Sequence, residues 1–317
     1  MGTGVAEISV VVPTRGRETR LAFALESLAR QTLGRGKFEV VVVRDEDATP
    51  PLAPVPDGLR VRYLTQPRVS GPTTKRNLGW RAAEAPLVAF IDDDCRASPG
   101  WLAALVAARA GDTVFHQGRT EPDPDELHLM GGFARTQRID VATGWFETCN
   151  MAYPRALLER LGGFDETFEF GGEDTDLAYR AIEAGAEPLF VDEALVWHAV
   201  MSRTFAAALR EATRWPDMAA VIARHPQLYD SLYRRHFWNN VHGALAATLL
   251  GLAIGRGRPL PSLIALVPYL SVRVNWREPH PRRLTRTLLT LPVHAAIDAT
   301  EIVARLPSAI RHRVPVI

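Results

Sequence analysis

Leu87-Val88-Ala89-Phe90-Ile91-Asp92-Asp93-Asp94 decides the fold: an unbroken apolar run ends in three consecutive carboxylates. Five apolar residues bounded by polar text read as a strand covered on both faces, as in a parallel sheet flanked by helices. Open α/β sheets bind ligands outside the carboxyl ends of their strands, so the acids fall where a ligand would sit. Three adjacent carboxylates repel and stay ionised only against a cation or strong donors. Hard cations such as Mg²⁺ or Mn²⁺ favour oxygen ligands and often share them with substrate phosphates. A solvated acidic turn suits the same residues equally well on spacing alone.

Working outward, short β-branched runs alternate with helical patterns, the mark of βαβ units. Ile8–Val12, closed by Pro13, reads as a buried first strand. Leu21, Leu25 and Leu28 follow at helical spacing, with Gly34 and Gly36 ending that helix. Phe38–Val43 and Val61–Leu64 are the next strands, separated by a loop over Thr49–Gly58 that holds four prolines. A helix is expected over Thr73–Ala83, and Ser98-Pro99 reads as the start of another. Glu121–Gly144 reads as a long loop, of the kind that often serves function in compact domains. Then come a short strand near Met151, a helix over Arg155–Arg160 and a turn at Gly162-Gly163. A helix over Glu173–Ala184 precedes two strands, Leu189–Val191 and Leu195–Trp197. From Thr204 onward the pattern is helical. The expected architecture is α/β over 1–203 with a helical region over 204–317.

Composition narrows the class. Of 317 residues, 47% are hydrophobic and 23% charged, so disorder is excluded. A formal net charge of +1 gives no bulk case for nucleic acid as a partner. Two cysteines, Cys95 and Cys149, imply no disulfide framework and point to a reducing compartment. Met1–Ile8 lacks a secretory pattern. The longest apolar run, Gly243–Ile254, falls short of the roughly 20 residues a membrane-spanning helix needs. The expectation is a cytoplasmic protein without a membrane span.

Three further clusters carry chemistry. Asp45 directly follows the second strand, where a carboxylate can accept a hydrogen bond from a base or ribose. Gly71-Pro72-Thr73-Thr74-Lys75-Arg76-Asn77-Leu78-Gly79 opens a helix with free backbone N–H groups and two cations suited to phosphate. Gly171-Gly172-Glu173-Asp174-Thr175-Asp176 places three carboxylates at a helix start, where acids are favoured by the helix dipole and where one could act as a general base. Neither a phosphate-binding P-loop nor a dinucleotide glycine fingerprint is present.

Taken in order, these segments resemble the family 2 glycosyltransferases of GT-A fold. The resemblance runs through Val10-Val11-Val12-Pro13-Thr14-Arg15-Gly16-Arg17, Val43-Arg44-Asp45, Gly71-Pro72 with Arg76-Asn77-Leu78-Gly79, and Phe90-Ile91-Asp92-Asp93-Asp94. It continues through Thr148-Cys149-Asn150-Met151-Ala152, Gly162-Gly163-Phe164-Asp165-Glu166, Gly172-Glu173-Asp174-Thr175-Asp176-Leu177 and Trp197-His198, covering about residues 7 to 200. Arg44 departs from it, standing where the family often has the first of two aspartates.

The resemblance implies a Rossmann-like mixed sheet and an inverting transfer from a nucleotide-diphospho-sugar, UDP-linked by preference, to an acceptor hydroxyl. It places Pro13, Thr14, Arg15, Arg17, Asp45, Arg76, Asn77, Asp92 and Asp93 around the donor. Asp94 and His198 would hold Mg²⁺ or Mn²⁺, and Asp174 would be the base, with Glu173 as the other candidate. A non-catalytic nucleotide-sugar binder and a sugar-phosphate nucleotidyltransferase are the alternatives. The first lacks need of a base. The second usually wants a glycine-rich loop after the first strand, and residues 13–17 are poor in glycine.

The last hundred residues lie outside the resemblance. Arginines recur among Ala, Leu, Trp and Tyr, including Arg256, Arg258, Arg282, Arg283 and Arg286. Such helices suit a packed helical subdomain, a homodimer interface or peripheral contact with a membrane on its cytoplasmic face.

Overall fold

The computed structural model describes residues 6–46, 53–66, 70–168, 171–214, 218–274 and 281–316. Part of the proline-rich loop (49–52) and the side chains of Arg282, Arg283 and Arg286 lie outside the described residues. The chain divides into two compact units, Met1–Ser202 and Arg203–Ile317.

The first unit is built on β1 (Ile8–Pro13), α1 (Glu18–Ala29), β2 (Phe38–Asp45), β3 (Val61–Gln66), α2 (Pro72–Ala82), β4 (Leu87–Ile91), β5 (Cys95–Ala97) and α3 (Trp101–Ala107). It continues with β6 (Val114–Pro122), β7 (Asn150–Pro154), α4 (Arg155–Leu161), α5 (Glu173–Glu183) and β8 (Glu187–His198). The eight strands form one sheet in the order β3-β2-β1-β4-β7-β6-β8-β5. β1 pairs in parallel with β2 and β4, whereas β7 runs antiparallel to β4 and β6. The sheet is therefore mixed, as expected. Every residue of β1, β2, β4 and β7 is buried, which is why these runs are mostly apolar rather than alternating. Leu21, Leu25 and Leu28 of α1 and Trp101, Leu102 and Leu105 of α3 join them in one core.

α2 lies close on the sheet. A Cβ on Gly79 would lie 2.4 Å from a Val11 methyl, so only glycine lets this helix lie down on β1. Several boundaries differ from the sequence reading. β6 is missing from it altogether, because its text, Val114-Phe115-His116-Gln117-Gly118-Arg119-Thr120, buries His116, Gln117 and Thr120 in place of apolar residues. The supposed loop over Glu121–Gly144 therefore opens with the end of β6 and a 3₁₀ helix over Pro124–Leu129. The two short strands after residue 187 are one, β8, and the helix expected at Ser98-Pro99 starts at Trp101 after a turn.

The second unit comprises α6 (Phe205–Glu211), α7 (Met218–Arg224), α8 (Asn240–Gly255), α9 (Pro259–Arg273) and α10 (Pro281–His312). Pro268 lies inside α9 without ending it. Within α10, Thr287–His312 is long and apolar enough, by length and composition, to cross a membrane. The expectation of no span counted only contiguous apolar residues, and α10 interrupts its apolar positions with polar ones.

Candidate active site

The carboxyl ends of β1, β2 and β4 open on one edge of the sheet, and side chains from distant parts of the chain meet there. After β1, Thr14 is buried and its hydroxyl donates to Asp93 Oδ2 at 2.6 Å. Gly16 takes a positive φ of 64°, and this turn brings Arg17 back over the acids. Arg17 donates to Asp93 Oδ2 at 3.2 Å and to Asp94 Oδ2 at 2.6 Å. Burial alone would lower the Arg17 pKa, but Asp93 and Asp94 outweigh it and raise it. Asp93 is fully buried, and burial pushes its carboxyl up to about 6 against the pull of Arg17.

Arg76 joins the two acidic clusters that the sequence keeps apart. Its guanidinium donates to Asp92 Oδ1 and to Glu173 Oε1, each at 2.8 Å. Burial opposes the charges on this triad, yet Arg76 is held above its ordinary range and Asp92 below its own. Asp174, next to Glu173 at the start of α5, accepts from the Thr148 N–H at 3.4 Å. Burial first, and then the neighbouring Glu173 charge, push Asp174 up to about 8. Phe146, two residues before Thr148, holds a positive φ of 53°. Such a conformation is rare for an aromatic residue and clusters near functional sites.

β-Pairing brings the last sequence candidate in. β5 runs antiparallel to β8 with Cys95 opposite His198, so His198 Nε2 stands 3.8 Å from Asp94 Oδ1. His198 Nδ1 lies 2.9 Å from its neighbour's carbonyl, Ala199 O. That contact favours a proton on Nδ1 and leaves the Nε2 lone pair for a metal. Asp94, Cys95 and His198 offer ligand atoms within 4.8 Å of one another. Burial raises the Cys95 thiol well above its usual range, and a protonated thiol is no ligand for a hard cation. The oxygen and nitrogen donors fit Mg²⁺ or Mn²⁺.

Asp45 ends β2 and is buried, with Lys75 Nζ 2.9 Å from its Oδ1. Its Oδ2 has no hydrogen-bond partner among the described residues, the Arg15 Nε being 3.7 Å away. Arg15 itself is exposed and Pro13 buried in β1. Arg44, the departure from the expected pattern, faces the other way and lies 3.7 Å from Glu18 of α1. Asn77 is not brought to the opening. Its amide donates to Phe164 O and Glu166 Oε1, and its oxygen accepts from Trp80 Nε1 and Phe164 N. Its other three bonds tie α2 to the loop after Gly163, and the Trp80 contact stays within the helix.

Sequence reasoning placed Thr148 in the resemblance without a role and missed Glu147. Glu147 is raised by burial and bonded to Gln117 and Thr143. No local signal marks Glu147. A mixed sheet with an acidic cluster at its carboxyl rim, bridged to a second acidic cluster by one arginine, is an α/β protein with its charged side chains gathered where such sheets bind ligands.

Comparison with known proteins carries this further. The profile of Glycosyl transferase family 2 matches residues 9–162, and that of Glycosyl transferase family group 2 matches residues 105–276. The chain belongs to the family 2 glycosyltransferases. It is 30% identical over 267 residues to validoxylamine A glucosyltransferase of Streptomyces hygroscopicus subsp. limoneus, covering 71% of this chain and 58% of the relative. It is also 30% identical over 284 residues to pre-mycofactocin glycosyltransferase of Mycobacterium tuberculosis, covering 84% and 57%. The chain thus spans about three-fifths of these relatives' length. The fold is GT-A. It is similar to that of mannosyltransferase PcManGT from Pyrobaculum calidifontis, solved in complex with GDP-Man and Mn²⁺. There the TM-score is 0.59 at 20% identity, covering 96% of this chain and 88% of that one.

Proposed function

We propose that this chain transfers a sugar, with inversion, from a nucleotide-diphospho-sugar to an acceptor hydroxyl. UDP is the favoured nucleotide, and Asp174 is the base. The observation that carries the reading is the Arg76 bridge, which places the donor-side carboxylate Asp92 and the base-side carboxylate Glu173 on one guanidinium. The reacting bond then lies between a rim that binds donor and a helix start that carries a base. Family membership supports the reading, as do relatives named glucosyltransferase and glycosyltransferase.

Each residue has a task. Asp45 Oδ2, which has no hydrogen-bond partner among the described residues, is a buried acceptor that the N–H of a pyrimidine imide would satisfy. Arg15 and Arg17 bring positive charge to the diphosphate. Asp94 and His198 would hold Mg²⁺ or Mn²⁺, which when bound neutralises charge on the departing diphosphate. Asp174, with its raised affinity for a proton, takes the proton of the acceptor hydroxyl as that oxygen attacks the anomeric carbon. One base suffices for a single displacement with inversion, and no second carboxylate is needed as a nucleophile.

Calorimetry with UDP and GDP, with and without Mn²⁺, tests the donor half. Metal-dependent binding of a nucleoside diphosphate is expected. Absence of binding to every nucleoside diphosphate in the presence of metal would overturn the assignment.

A further inference from the structure

The even net charge of the chain conceals a strong asymmetry. Residues 1–202 carry 21 basic and 30 acidic side chains, whereas residues 203–317 carry 16 arginines, no lysine and 6 acids. Residues 231–277 hold six arginines and no acid at all. The second unit is therefore a cationic body attached to an anionic one.

Two of its helices, α8 and α9, also turn aliphatic side chains outward. In α8 the polar His242 and Thr248 are buried, at 0% and 4% exposure, while Leu250 and Ile254 stand at 63% and 71%. In α9 the buried Tyr269 donates its hydroxyl to Asp298 of α10, and Arg273 pairs with the same carboxylate. His242 Nε2 lies 3.0 Å from Glu301 of α10. Outward from α9 point Leu260, Leu263, Ile264 and Val267, each 57–68% exposed. Their spacing of three and four residues makes them one stripe. Small residues join the pair of helices: a Cβ on Gly251 would meet the Ala265 Cβ at 2.8 Å. His242, Tyr269 and Arg273 paired with acids of α10, small residues at the helix contact and branched aliphatics outside is the arrangement that hydrocarbon favours and water does not. Soluble monomers seldom expose so continuous an apolar stripe.

We propose that the α8–α9 hairpin is a docking surface for an anionic phospholipid bilayer. Leu250, Ile254, Leu260, Leu263, Ile264 and Val267 enter the headgroup–acyl boundary, and Arg256 and Arg258, exposed in the turn between the helices, reach the phosphates. At 16 and 15 residues the two helices are too short to cross a hydrocarbon core that needs roughly 20. They lie in the interface. Charge complementarity selects the occupant: a stretch with arginines and no acids is attracted to phosphatidylglycerol or phosphatidylserine, whereas a second copy of the same cationic face is repelled. The inference is independent of the transfer reaction, since it rests on the second unit alone.

Flotation of the full chain with vesicles tests it. Vesicles of phosphatidylcholine with phosphatidylglycerol are expected to carry the protein, pure phosphatidylcholine vesicles far less, and added salt weakens the binding. Arg256→Glu and Arg258→Glu should each lower the partition coefficient about fivefold or more. Leu263→Asp with Ile264→Asp should lower it at least about tenfold. Both positions are exposed, so these variants should keep the wild-type melting temperature and nucleotide binding. Four results would overturn the proposal. One is no flotation with anionic vesicles. Another is unchanged flotation of the Leu263→Asp, Ile264→Asp variant. The third is a stable dimer by light scattering that the same variant converts to monomer, which would make the stripe an interface between copies. Vesicle-bound protein that resists alkaline and high-salt washing would point to a spanning segment in α10 and equally refute surface docking by the hairpin.

Discussion

Replacing Asp174 by asparagine separates the chemistry of the base from the strain of holding it. The carboxyl sits at about 8 because burial and the Glu173 charge disfavour its ionised form. At pH 7, one unit below that value, about a tenth of the molecules carry the ionised base, so turnover should climb with pH and level off above about 8. The amide of the Asp174→Asn variant cannot accept a proton, and transfer should fall by about 10²- to 10⁴-fold. Stability should move the other way. The folded-state pKa lies above the unfolded one, so the group's contribution is complete below the unfolded value of 3.8 and is lost as pH rises through about 8. Asparagine has no proton to lose and escapes that loss. At pH 9 the variant should be more stable than wild type by at least about 1.4 kcal/mol, the equivalent of one pKa unit. At pH 3, below the unfolded value, the difference should vanish. Urea unfolding at the two pH values, beside single-turnover transfer from pH 6 to 9, reads both halves. Wild-type turnover in the variant would refute the assignment of the base. Equal stabilities at pH 9 would refute the burial argument.

Other outcomes follow from the same geometry. Arg76→Met strands Asp92 and Glu173 without their shared cation, and urea unfolding should register a loss of about 3–5 kcal/mol; a loss below about 1 kcal/mol would mean the carboxylates are solvated. Arg76→Lys should recover only part of it, since a point charge cannot reach both acids at bonding distance as the planar fork does. Asp94→Asn and His198→Ala should each weaken Mn²⁺-dependent binding of a nucleoside diphosphate at least about tenfold while sparing metal-free binding, a comparison calorimetry makes directly. Gly79→Ala should cost about 1–3 kcal/mol in urea unfolding, because its Cβ would press on a Val11 methyl at 2.4 Å with β1 fixed behind it. An unchanged midpoint would show that α2 can lift off the sheet.

How much of this was legible beforehand depends on whether the signal is local. Continuous apolar runs mark β1, β2 and β4 because each is covered on both faces, and Asp92–Asp94 at the end of one such run marks the rim. β6 was illegible for the opposite reason. Its buried His116, Gln117 and Thr120 find their place through partners far along the chain, so no local pattern announces a strand.

The sequence alone determined that an acidic cluster sits at the carboxyl edge of an α/β sheet, since strand burial and chain direction are written within a few consecutive residues. Tertiary structure alone decided which acids work together. Asp92 and Glu173, far apart in the chain, share Arg76; His198 reaches Asp94 only because β5 pairs with β8; and Asn77, next to Arg76 in sequence, turns to the Phe164 loop instead. A hydrogen bond between side chains depends on distance in space, and neighbours along the chain carry no record of it until the sheet has set its register.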